Sequence, residues 1–236
     1  MKDILFKKWK NIHEKPERYD IIAEIFGTTE IEIKNILNFI DFKDKIVLDV
    51  GAGTGRLSIP ISKIAERVCA IDPEEEMLNS LKEKIKKYRI KNIEIKRGTA
   101  EKIPYSDNYF DCVICAWILH YIDYKKTIKQ IKRVLKKDGY LVFLDHNGND
   151  DWEKLSIIID PKNVGMYENR NNKLLKLIED FHKVKRKVVN SFIRFPNIDA
   201  AKEIINETRG LKASKYVEKN NMLKISNKIF FVFAKK

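Results

Sequence analysis

The stretch KIVLDVGAGTGRLSIPIS, residues 45–62, limits the fold of this chain more than any other feature of its sequence. A short apolar, β-branched run ends in Asp49, glycines follow at positions 51, 53 and 55, and a helical pattern begins directly afterwards. Such a run is typical of a strand that is buried on both faces in a parallel sheet. Glycine at alternate positions permits a tight turn and lets a ligand approach backbone N–H groups at a helix start. The stretch therefore predicts the first strand and the ligand-binding turn of an α/β fold.

Strand and helix patterns alternate through the first two-thirds of the chain. Apolar runs predict strands and amphipathic spacing predicts helices; the strands are 45–50, 67–72, 93–98, 110–117 and 140–146, and the helices are 55–66, 73–88 and 123–139. This alternation indicates parallel βαβ units in a doubly wound, mostly parallel, Rossmann-like sheet with helices on both faces. Ligands of such sheets bind outside the carboxyl ends of the strands.

The composition excludes several classes of protein. Charged residues interrupt each apolar run before it reaches membrane-spanning length, and the charged N-terminal residues lack the apolar centre of a secretory signal. The three cysteines, Cys69, Cys112 and Cys115, all lie in predicted strands, which does not fit a disulfide framework. Cys112 and Cys115 point to opposite faces of one strand, so they predict core packing and no metal site. These features predict a soluble, cytoplasmic protein.

The net charge of +13 raises the question of a nucleic-acid partner. Of 47 basic residues, however, 37 are lysine and only ten are arginine, the residue preferred for bidentate phosphate recognition. The sequence therefore indicates a solvated, lysine-rich surface and argues against nucleic acid as the partner.

The glycine spacing also bears on the kind of ligand. The chain has G-x-G-x-G, whereas the dinucleotide fingerprint G-x-G-x-x-G would need glycine where Arg56 stands. An arginine there would crowd the helix–strand packing that the third glycine serves. This spacing weakens the hypothesis of a nicotinamide- or flavin-dependent dehydrogenase.

Residues 45–146 resemble, in order and spacing, the motifs of class I S-adenosylmethionine-dependent methyltransferases. VLDVGAGTGRLSIPIS resembles the first motif and CAIDPEEEML the second; GTAEKIPYSDNYFDCVICAWILHYI is similar to the third and fourth, and IKRVLKKDGYLVFLDH to the helix and strand that follow. Within the superfamily, the similarity is to the small-molecule branch typified by ubiquinone/menaquinone-biosynthesis methyltransferases. The resemblance implies S-adenosylmethionine as cofactor.

The resemblance divides residues 1–236 as one methyltransferase domain. Residues 1–42 are predicted as an N-terminal helical cap and 45–146 as the cofactor-binding core. Residues 147–210, with helices expected at 172–189 and 198–210, are predicted as an inserted, lid-like segment. Residues 211–236 are predicted as a closing antiparallel hairpin, with strands 215–225 and 228–236 joined at Ser226 and Asn227, which completes seven strands.

The first two motifs imply specific cofactor contacts. Asp49 contacts the methionine amino group, directly or through water, while Gly51 and Gly53, with Ala52 between them, provide the close backbone approach. Asp72, 21 residues after Gly51, fits a carboxylate that accepts both ribose hydroxyls. Helix N-capping is the simpler alternative for Asp72, as core packing is for Met77, which relatives often place on the adenine.

The third motif departs from the family. Relatives usually have Gly-Asp-Ala, with the aspartate accepting from the adenine amino group, whereas this chain has Gly98-Thr99-Ala100-Glu101. The Thr99 hydroxyl still offers an acceptor, Ala100 offers its backbone N–H to the adenine edge, and Glu101 is common in this branch. Ala116 takes the place where a small residue passes the cofactor.

Methyl transfer requires the acceptor to be aligned and, where it is not already nucleophilic, deprotonated. A base should project from the end of strand four or five, where the chain has His120 beside Tyr121 and His146 beside Asp145. His120 and His146 are therefore the candidate catalytic bases, with packing or hydrogen bonding as the alternative for each. Tyr19 and Asp20 resemble an N-terminal feature that caps the methionine end of the cofactor.

The predicted function is methyl transfer from S-adenosylmethionine to O, N or C of a small-molecule acceptor by in-line displacement. The Asn/Asp-Pro-Pro-Tyr motif of nucleic-acid amino methyltransferases and the Pro-Cys nucleophile of cytosine-C5 enzymes are both absent, since the place after strand four has Cys115-Ala116-Trp117-Ile118. Aromatic residues of the insert either line a lid over the acceptor or anchor the insert to the sheet. An RNA or protein methyltransferase, and a non-catalytic partner protein that keeps the fold, remain as alternatives.

Overall fold

The computed structural model describes residues 8, 9 and 11–236. In this part of the chain, seven strands form one sheet in the order β3-β2-β1-β4-β5-β7-β6. The strands are β1 (Ile46–Val50), β2 (Arg67–Asp72), β3 (Ile93–Arg97), β4 (Phe110–Ala116), β5 (Leu135–His146), β6 (His182–Arg194) and β7 (Lys224–Lys235). β1 to β5 are parallel, and β7 is antiparallel to both β5 and β6. The predicted seven-stranded, doubly wound sheet is confirmed.

Helices connect and cover the strands. They are α1 (Pro16–Phe26), α2 (Thr29–Leu37), α3 (Ser58–Ser62), α4 (Glu75–Lys87), α5 (Tyr124–Val134), α6 (Asp151–Ile159), α7 (Met166–Leu177), α8 (Ile198–Thr208) and α9 (Leu211–Lys219). The predicted helical N-terminal region corresponds to α1, α2 and helical backbone at residues 8, 9 and 11–13, while residues 1–7 and 10 of that prediction lie outside the described residues. Within the described residues, no helix combines the length and apolarity needed to cross a bilayer.

The sheet separates the apolar core into two layers, one on each of its faces. Val47, Cys112 and Ile114 pack on one side of the sheet, with Phe42 and Phe231. On the other side, Cys69 and Cys115 lie in a layer with the buried face of α5. All three cysteines are free and fully buried, as the strand alternation predicts for packing residues.

The closing part of the sheet differs from the sequence prediction. Residues 182–194, whose first half was predicted as a helix, form strand β6, and residues 211–219, predicted largely as a strand, form helix α9. Ser226 and Asn227, the predicted turn, lie inside β7 and pair with Phe192 and Ser191 of β6. The antiparallel pair is therefore made by β6 and β7, with α8 and α9 between them, rather than by residues 211–236 alone.

Two helix ends also differ. The predicted helix 123–139 ends at Val134, because Leu135 already pairs with Phe110 in the sheet; Gly139 therefore lies within β5 instead of stopping the helix. The predicted helix 55–66 is limited to the five residues of α3, since residues 51–57 form turns.

A third apolar cluster covers the end of β5. It joins Trp152 of α6, Tyr167 of α7, Ile204 of α8 and Val217 of α9 to Ile22 of α1. We call these five helices the cap. Most of the predicted insert thus belongs to the cap, but its residues 182–194 belong to the sheet.

Candidate cofactor and acceptor site

The turn after β1 requires its three glycines. Gly51, Gly53 and Gly55 have φ angles of 74°, 54° and 86°, a region that side chains with a Cβ rarely adopt. A Cβ on Gly51 would lie 2.5 Å from Ile118 Cγ2, and one on Gly55 would lie 2.3 Å from Leu81 Cδ1. Gly55 thus serves the helix packing that the third glycine of a dinucleotide fingerprint serves, one position earlier in the chain.

Asp72 reaches back from the end of β2 to this turn. Its side chain is 7% exposed, and its Oδ2 accepts a hydrogen bond from Gly53 N at 2.9 Å. Its Oδ1 accepts from Glu74 N at 2.9 Å, just before α4. The N-cap of α4 is Glu74, so Asp72 is not the helix N-cap that the alternative predicts. Burial raises the pKa of Asp72. The carboxylate that the sequence assigned to ribose therefore lies at the glycine turn.

Asp49 ends β1 beneath the same turn. It is 2% exposed, and its Oδ2 accepts from Ser58 Oγ at 2.6 Å. Burial raises the pKa of Asp49 to about 6, against the lowering effects of the Ser58 hydrogen bond and the Arg56 charge. The hydrogen bond and the nearby charge thus offset only part of the cost of burying the Asp49 carboxylate. Such a group is suited to pair with a cationic group of a ligand.

Helix α1 is attached to the glycine turn by Asp20. Asp20 Oδ1 accepts from Thr54 Oγ1 at 2.6 Å, and Asp20 Oδ2 pairs with Lys84 Nζ at 2.6 Å. Lys84 also donates to the Thr54 carbonyl at 3.2 Å. The sequence singled out Asp20 but not Thr54 or Lys84. No local pattern marks these two residues as partners of Asp20, because they are far from it along the chain.

Arg56 points away from the strand–helix contact. Its guanidinium forms a buried ion pair with Glu32 of α2 and donates to Thr29 Oγ1 at 3.2 Å. Glu32 also accepts from Trp117 Nε1 at 3.0 Å, just past the end of β4. Trp117 itself has a φ of 61°, an uncommon value for a bulky residue that turns the chain sharply beside the site. Burial raises the pKa of Tyr19, and the nearby charge of Arg56 opposes that rise.

The third motif lies beside this turn without matching the family arrangement. Thr99 is exposed and forms an isolated bridge with Lys102, whereas Ala100 is buried. Glu101 Oε1 accepts from Asp123 N at 2.7 Å and so supports the start of α5. Ala116 is the half-buried last residue of β4. Met77 lies at the turn, since a Cβ on Gly53 would be 3.3 Å from Met77 Cε.

His146 has both ring nitrogens in hydrogen bonds. Its Nδ1 lies 2.9 Å from Asn227 Oδ1, and its Nε2 accepts from Trp152 Nε1 at 3.1 Å. Because the indole N–H can only donate, Nδ1 carries the proton. Burial lowers the pKa of His146 to about 3. In this structure His146 has no lone pair left to remove a proton, so the geometry argues for a packing role and against the predicted base.

His120 is in a different situation. Its ring lies 3.7 Å from the ring of Tyr121, and neither of its nitrogens has a hydrogen-bonding partner among the described residues. Burial, reinforced by the charges of Arg170, His146, His13 and Arg209, lowers the pKa of His120 well below its usual value. It is therefore neutral at pH 7, with a lone pair available.

Asp145 fixes the loops on which both histidines stand. It is 1% exposed; its Oδ2 accepts from Leu119 N at 3.1 Å and its Oδ1 from His146 N at 2.7 Å. The loop after β4 is thereby attached to the end of β5. The ring of His13 lies 5.6 Å from that of Tyr121, centroid to centroid.

Two arginines of the cap face this region and were not singled out from the sequence. Arg209, at the end of α8, is 3% exposed, and Arg170 of α7 is half-buried. Both lie against Tyr167, whose ring is 5.1 Å from that of His146. They are 39 positions apart, so no local spacing could have identified them as neighbours.

Comparison with known proteins identifies the kind of domain that carries the site. A methyltransferase domain model matches residues 48–143, which include most of β1, the glycine turn, Asp72 and β4. This part of the chain is thus a methyltransferase domain, similar to those of class I S-adenosylmethionine-dependent enzymes. The chain is 31% identical over 106 residues to an uncharacterized methyltransferase, YcgJ, of Bacillus subtilis, covering 44% of this chain and 42% of YcgJ.

A second relative agrees with the branch that the motifs suggested. The ubiquinone/menaquinone biosynthesis C-methyltransferase UbiE of Blochmanniella floridana is 31% identical over 141 residues, which is 56% of each chain. The chain thus spans about half the length of the curated relatives it matches.

Solved structures agree on the fold of this chain. The crystal structure of YcgJ has a TM-score of 0.60 at 21% identity and covers 89% of this chain and 98% of its own. A SAM-dependent methyltransferase from Aquifex aeolicus has a TM-score of 0.58 at 22% identity, over 92% of this chain and 97% of its own. At these identities the likeness concerns the fold.

The residues present fit the cofactor of this superfamily. The turn is bare because its glycines have no Cβ, and Asp49 and Asp72 are buried carboxylates on either side of it. Gly53 N–H and Asp72 bond to each other in this structure, so both groups are already directed into the turn.

Proposed function

We propose that this chain transfers the methyl group of S-adenosylmethionine to O, N or C of a small-molecule acceptor. The observation that carries the proposal is the position of Asp72, whose carboxylate lies 2.9 Å from the backbone N of Gly53 in the turn after β1. A carboxylate at the end of β2 beside a glycine turn is the arrangement that grips an adenosine ribose in a doubly wound sheet.

Residues from several elements of this chain would hold the cofactor. Asp72 would accept from the ribose hydroxyls, Asp49 would pair with the methionine amino group, and the turn of Gly51 and Gly53 would allow close contact with the backbone. Thr99, Ala100 and Glu101 would lie at the adenine edge, with Ala116 passing beside the cofactor. Helix α1 would close over the turn, since Asp20 already bonds to Thr54.

When bound, the cofactor would supply a methyl carbon on a sulfonium; an electron pair of the acceptor would attack this carbon in line, and the sulfur would leave as a neutral thioether. The protein's own contribution is to align the acceptor and to take its proton where it has one. His120 is suited to that role, because it is neutral, its nitrogens have no partner among the described residues, and its loop is held by Asp145. His146 would help to hold the part of the site that receives the acceptor, through its hydrogen bonds with Asn227 and Trp152.

The enclosed acceptor side supports a small molecule. Trp152, Tyr167 and Arg209 are all at most 3% exposed, so the cap leaves little room beside His146 for a folded polymer. The basic run Lys183, Lys185, Arg186 and Lys187 lies on β6, at the edge of the sheet and separated from β4 by β5 and β7. A basic strip beside the glycine turn would favour RNA instead.

Calorimetric titration with S-adenosylmethionine and S-adenosylhomocysteine tests the proposal. We expect both to bind, and Asp72→Asn to weaken each by roughly tenfold or more, because a charge-assisted pair of hydrogen bonds is lost. Glu76→Gln, an exposed change on α4, is the matched control and should bind as the unchanged protein does. Absence of binding by the unchanged protein would refute the proposal.

A further inference from the structure

Arg209 is a buried cation without an anionic partner in the described part of the chain. Its Cζ lies 3.8 Å from the ring centroid of Trp152, a residue with no exposed surface. Its Nη2 donates to Tyr167 Oη at 3.0 Å and its Nη1 to the Thr208 carbonyl at 3.3 Å. Its Nε is buried and has no hydrogen-bond partner.

Nearby carboxylates do not neutralise it. The charge of Asp150 acts on Arg209, but Asp150 Oδ1 accepts from Glu153 N at 2.9 Å and its Oδ2 from Lys228 N at 2.6 Å. By contrast, the buried Arg56 forms an ion pair with Glu32. A buried guanidinium that lacks such a partner is costly, and burial accordingly lowers the pKa of Arg209.

A second guanidinium lies on the same tyrosine. Arg170 Cζ is 5.4 Å from the ring centroid of Tyr167, and Arg170 has no ion pair among the described residues. The positive charge of Arg170 acts to lower the pKa values of Asp145, Tyr124 and His120. The buried hydroxyl of Tyr124 also lacks a hydrogen-bond partner. Two cations and an unused hydroxyl therefore accompany the proposed base.

Their position separates them from the cofactor turn. Tyr167 packs on His146 at the end of β5, and both arginines act on His120 after β4. Asp49 lies beneath the glycine turn, and the arginine whose charge acts to lower its pKa is Arg56. The two unpaired arginines thus belong to the acceptor side of the site.

We propose that the methyl acceptor carries a carboxylate or phosphate group, which Arg209 and Arg170 bind within the cap. This inference rests on the proposed methyl transfer. The planar guanidinium is suited to both anions, because its N–H groups match two oxygens at once. An anion bound here would satisfy Arg209 Nε and would hold the acceptor beside His120.

The acceptor can be identified by its label. The full chain is incubated with methyl-labelled S-adenosylmethionine and a small-metabolite extract of the source cells, and the labelled product is separated on an anion exchanger. We expect an anionic product. In two further arms the extract is treated beforehand with alkaline phosphatase, which removes phosphate esters, or with carbodiimide and ethanolamine, which convert carboxylates into neutral amides. Loss of the labelled product in one arm identifies the anion.

Variants connect that product to the arginines. Arg209→Met should lower its rate of formation by about tenfold or more while S-adenosylmethionine binds unchanged in calorimetry. Arg194→Met removes an exposed arginine of β6 and should leave the rate unaltered. Arg170→Gln provides a second test at a half-buried position and should also lower the rate.

Melting temperatures distinguish binding from a structural role. Arg209→Met should keep or raise the melting temperature, because no carboxylate loses its partner. Arg56→Met should lower it, because Glu32 remains buried and unpaired. An equal fall in both variants would contradict the inference.

Three other results would overturn it. They are a neutral or cationic labelled product, a yield that neither pretreatment changes, and an Arg209→Met variant that keeps its rate or loses cofactor affinity instead. Calorimetry shows separately whether the unchanged chain binds S-adenosylmethionine. If it does not, the proposed function is refuted, and this result differs from those that refute only the anionic acceptor.

Discussion

Asp49 and Asp72 are two buried carboxylates of the same site with different local support. Asp72 accepts from two backbone N–H groups, Gly53 and Glu74, whereas Asp49 has the Ser58 hydroxyl. Burial raises the pKa of both, and that of Asp49 reaches about 6. The more weakly supported carboxylate is the one that the proposed function pairs with a cation.

Asp49→Asn should therefore stabilise the protein in a pH-dependent way. The pKa of Asp49 is about 6 when folded and 3.8 ordinarily, so the fold favours the protonated acid and loses stability as the pH rises from about 4 to about 6. A shift of this size corresponds to about 3 kcal/mol at pH 7. Urea unfolding at pH 4, 5, 6 and 7 should show the unchanged protein falling relative to the variant by about that amount. If the free energies of unfolding of the two proteins change in parallel with pH, this prediction is wrong.

The two histidines should respond differently to substitution. His120→Gln should lower kcat by roughly a hundredfold, the lower range for a lost general base, with cofactor affinity unchanged. His146→Ala should mainly lower the free energy of unfolding, by about 1–3 kcal/mol, because Asn227 and Trp152 are left without their partner. Rates measured with an acceptor that must lose a proton, together with unfolding curves, check both. Equal kcat for His120→Gln and the unchanged protein would remove His120 as the base.

Sequence identified the neighbourhood of these residues but not their roles. His146 is the last residue of β5 and His120 follows β4, so both lie where a base is expected, and that placement is a consequence of strand order. Whether a ring nitrogen is free depends on Asn227 and Trp152, which are 81 and 6 positions from His146. Such partners are brought together only by the finished fold.

Among the elements, α1 links the N-terminal region to the cofactor turn. Asp20 bonds to Thr54 and to Lys84, so α1, the turn and α4 are joined at one carboxylate. Thr54 is buried, but Asp20 and Lys84 are partly exposed, so their ion pair is easier to open than the buried contacts of the sheet.

Asp20→Ala should weaken cofactor binding by roughly fivefold, since a charge-assisted hydrogen bond that closes the turn is worth about 1 kcal/mol. Glu24→Ala, an exposed residue on the same helix, is the control and should change nothing. Titration with S-adenosylhomocysteine measures both. The idea fails if the two variants bind alike.

Strand β6 explains the main error in the predicted elements. Val184, Val188, Val189 and Phe192 have the spacing of a helix face, yet the buried side chains of this strand are Ser191 and Ile193, two positions apart. The strand lies at the sheet edge, where most of its residues are exposed, so its sequence does not need the apolar alternation of an inner strand. The inner strands β1, β2 and β4 have buried runs and were predicted correctly.

At the scale of the whole molecule, cofactor binding should stabilise the fold. A ligand present at a hundred times its dissociation constant adds about 2.7 kcal/mol. For a chain of this length, that corresponds to a rise in Tm of about 5–10 °C. Differential scanning fluorimetry with S-adenosylhomocysteine should show the rise, and Asp72→Asn at the same ligand concentration should reduce it by about half or more. An equal rise in the variant would mean that Asp72 does not contribute.

The two halves of the site were predictable to different degrees. The cofactor half lies on one continuous alternation of strands and helices, so residues such as Asp49 and Asp72 follow from their places along the chain. The acceptor half is assembled from the cap, where Trp152, Tyr167 and Arg209 come from three helices. Each of these helices has a sequence that fits many packings, and only their joint burial places the arginines on one tyrosine.

The position of β7 between β5 and β6 has a consequence for synthesis on the ribosome. β6 emerges before β7, the only neighbour it has in the described sheet, and must wait unpaired while α8 and α9 are made. β7 also supplies Asn227, the partner of His146. The part of the site that would receive the acceptor is thus completed only once β7 has been made, and nascent chains arrested before residue 224 should expose β6 to protease.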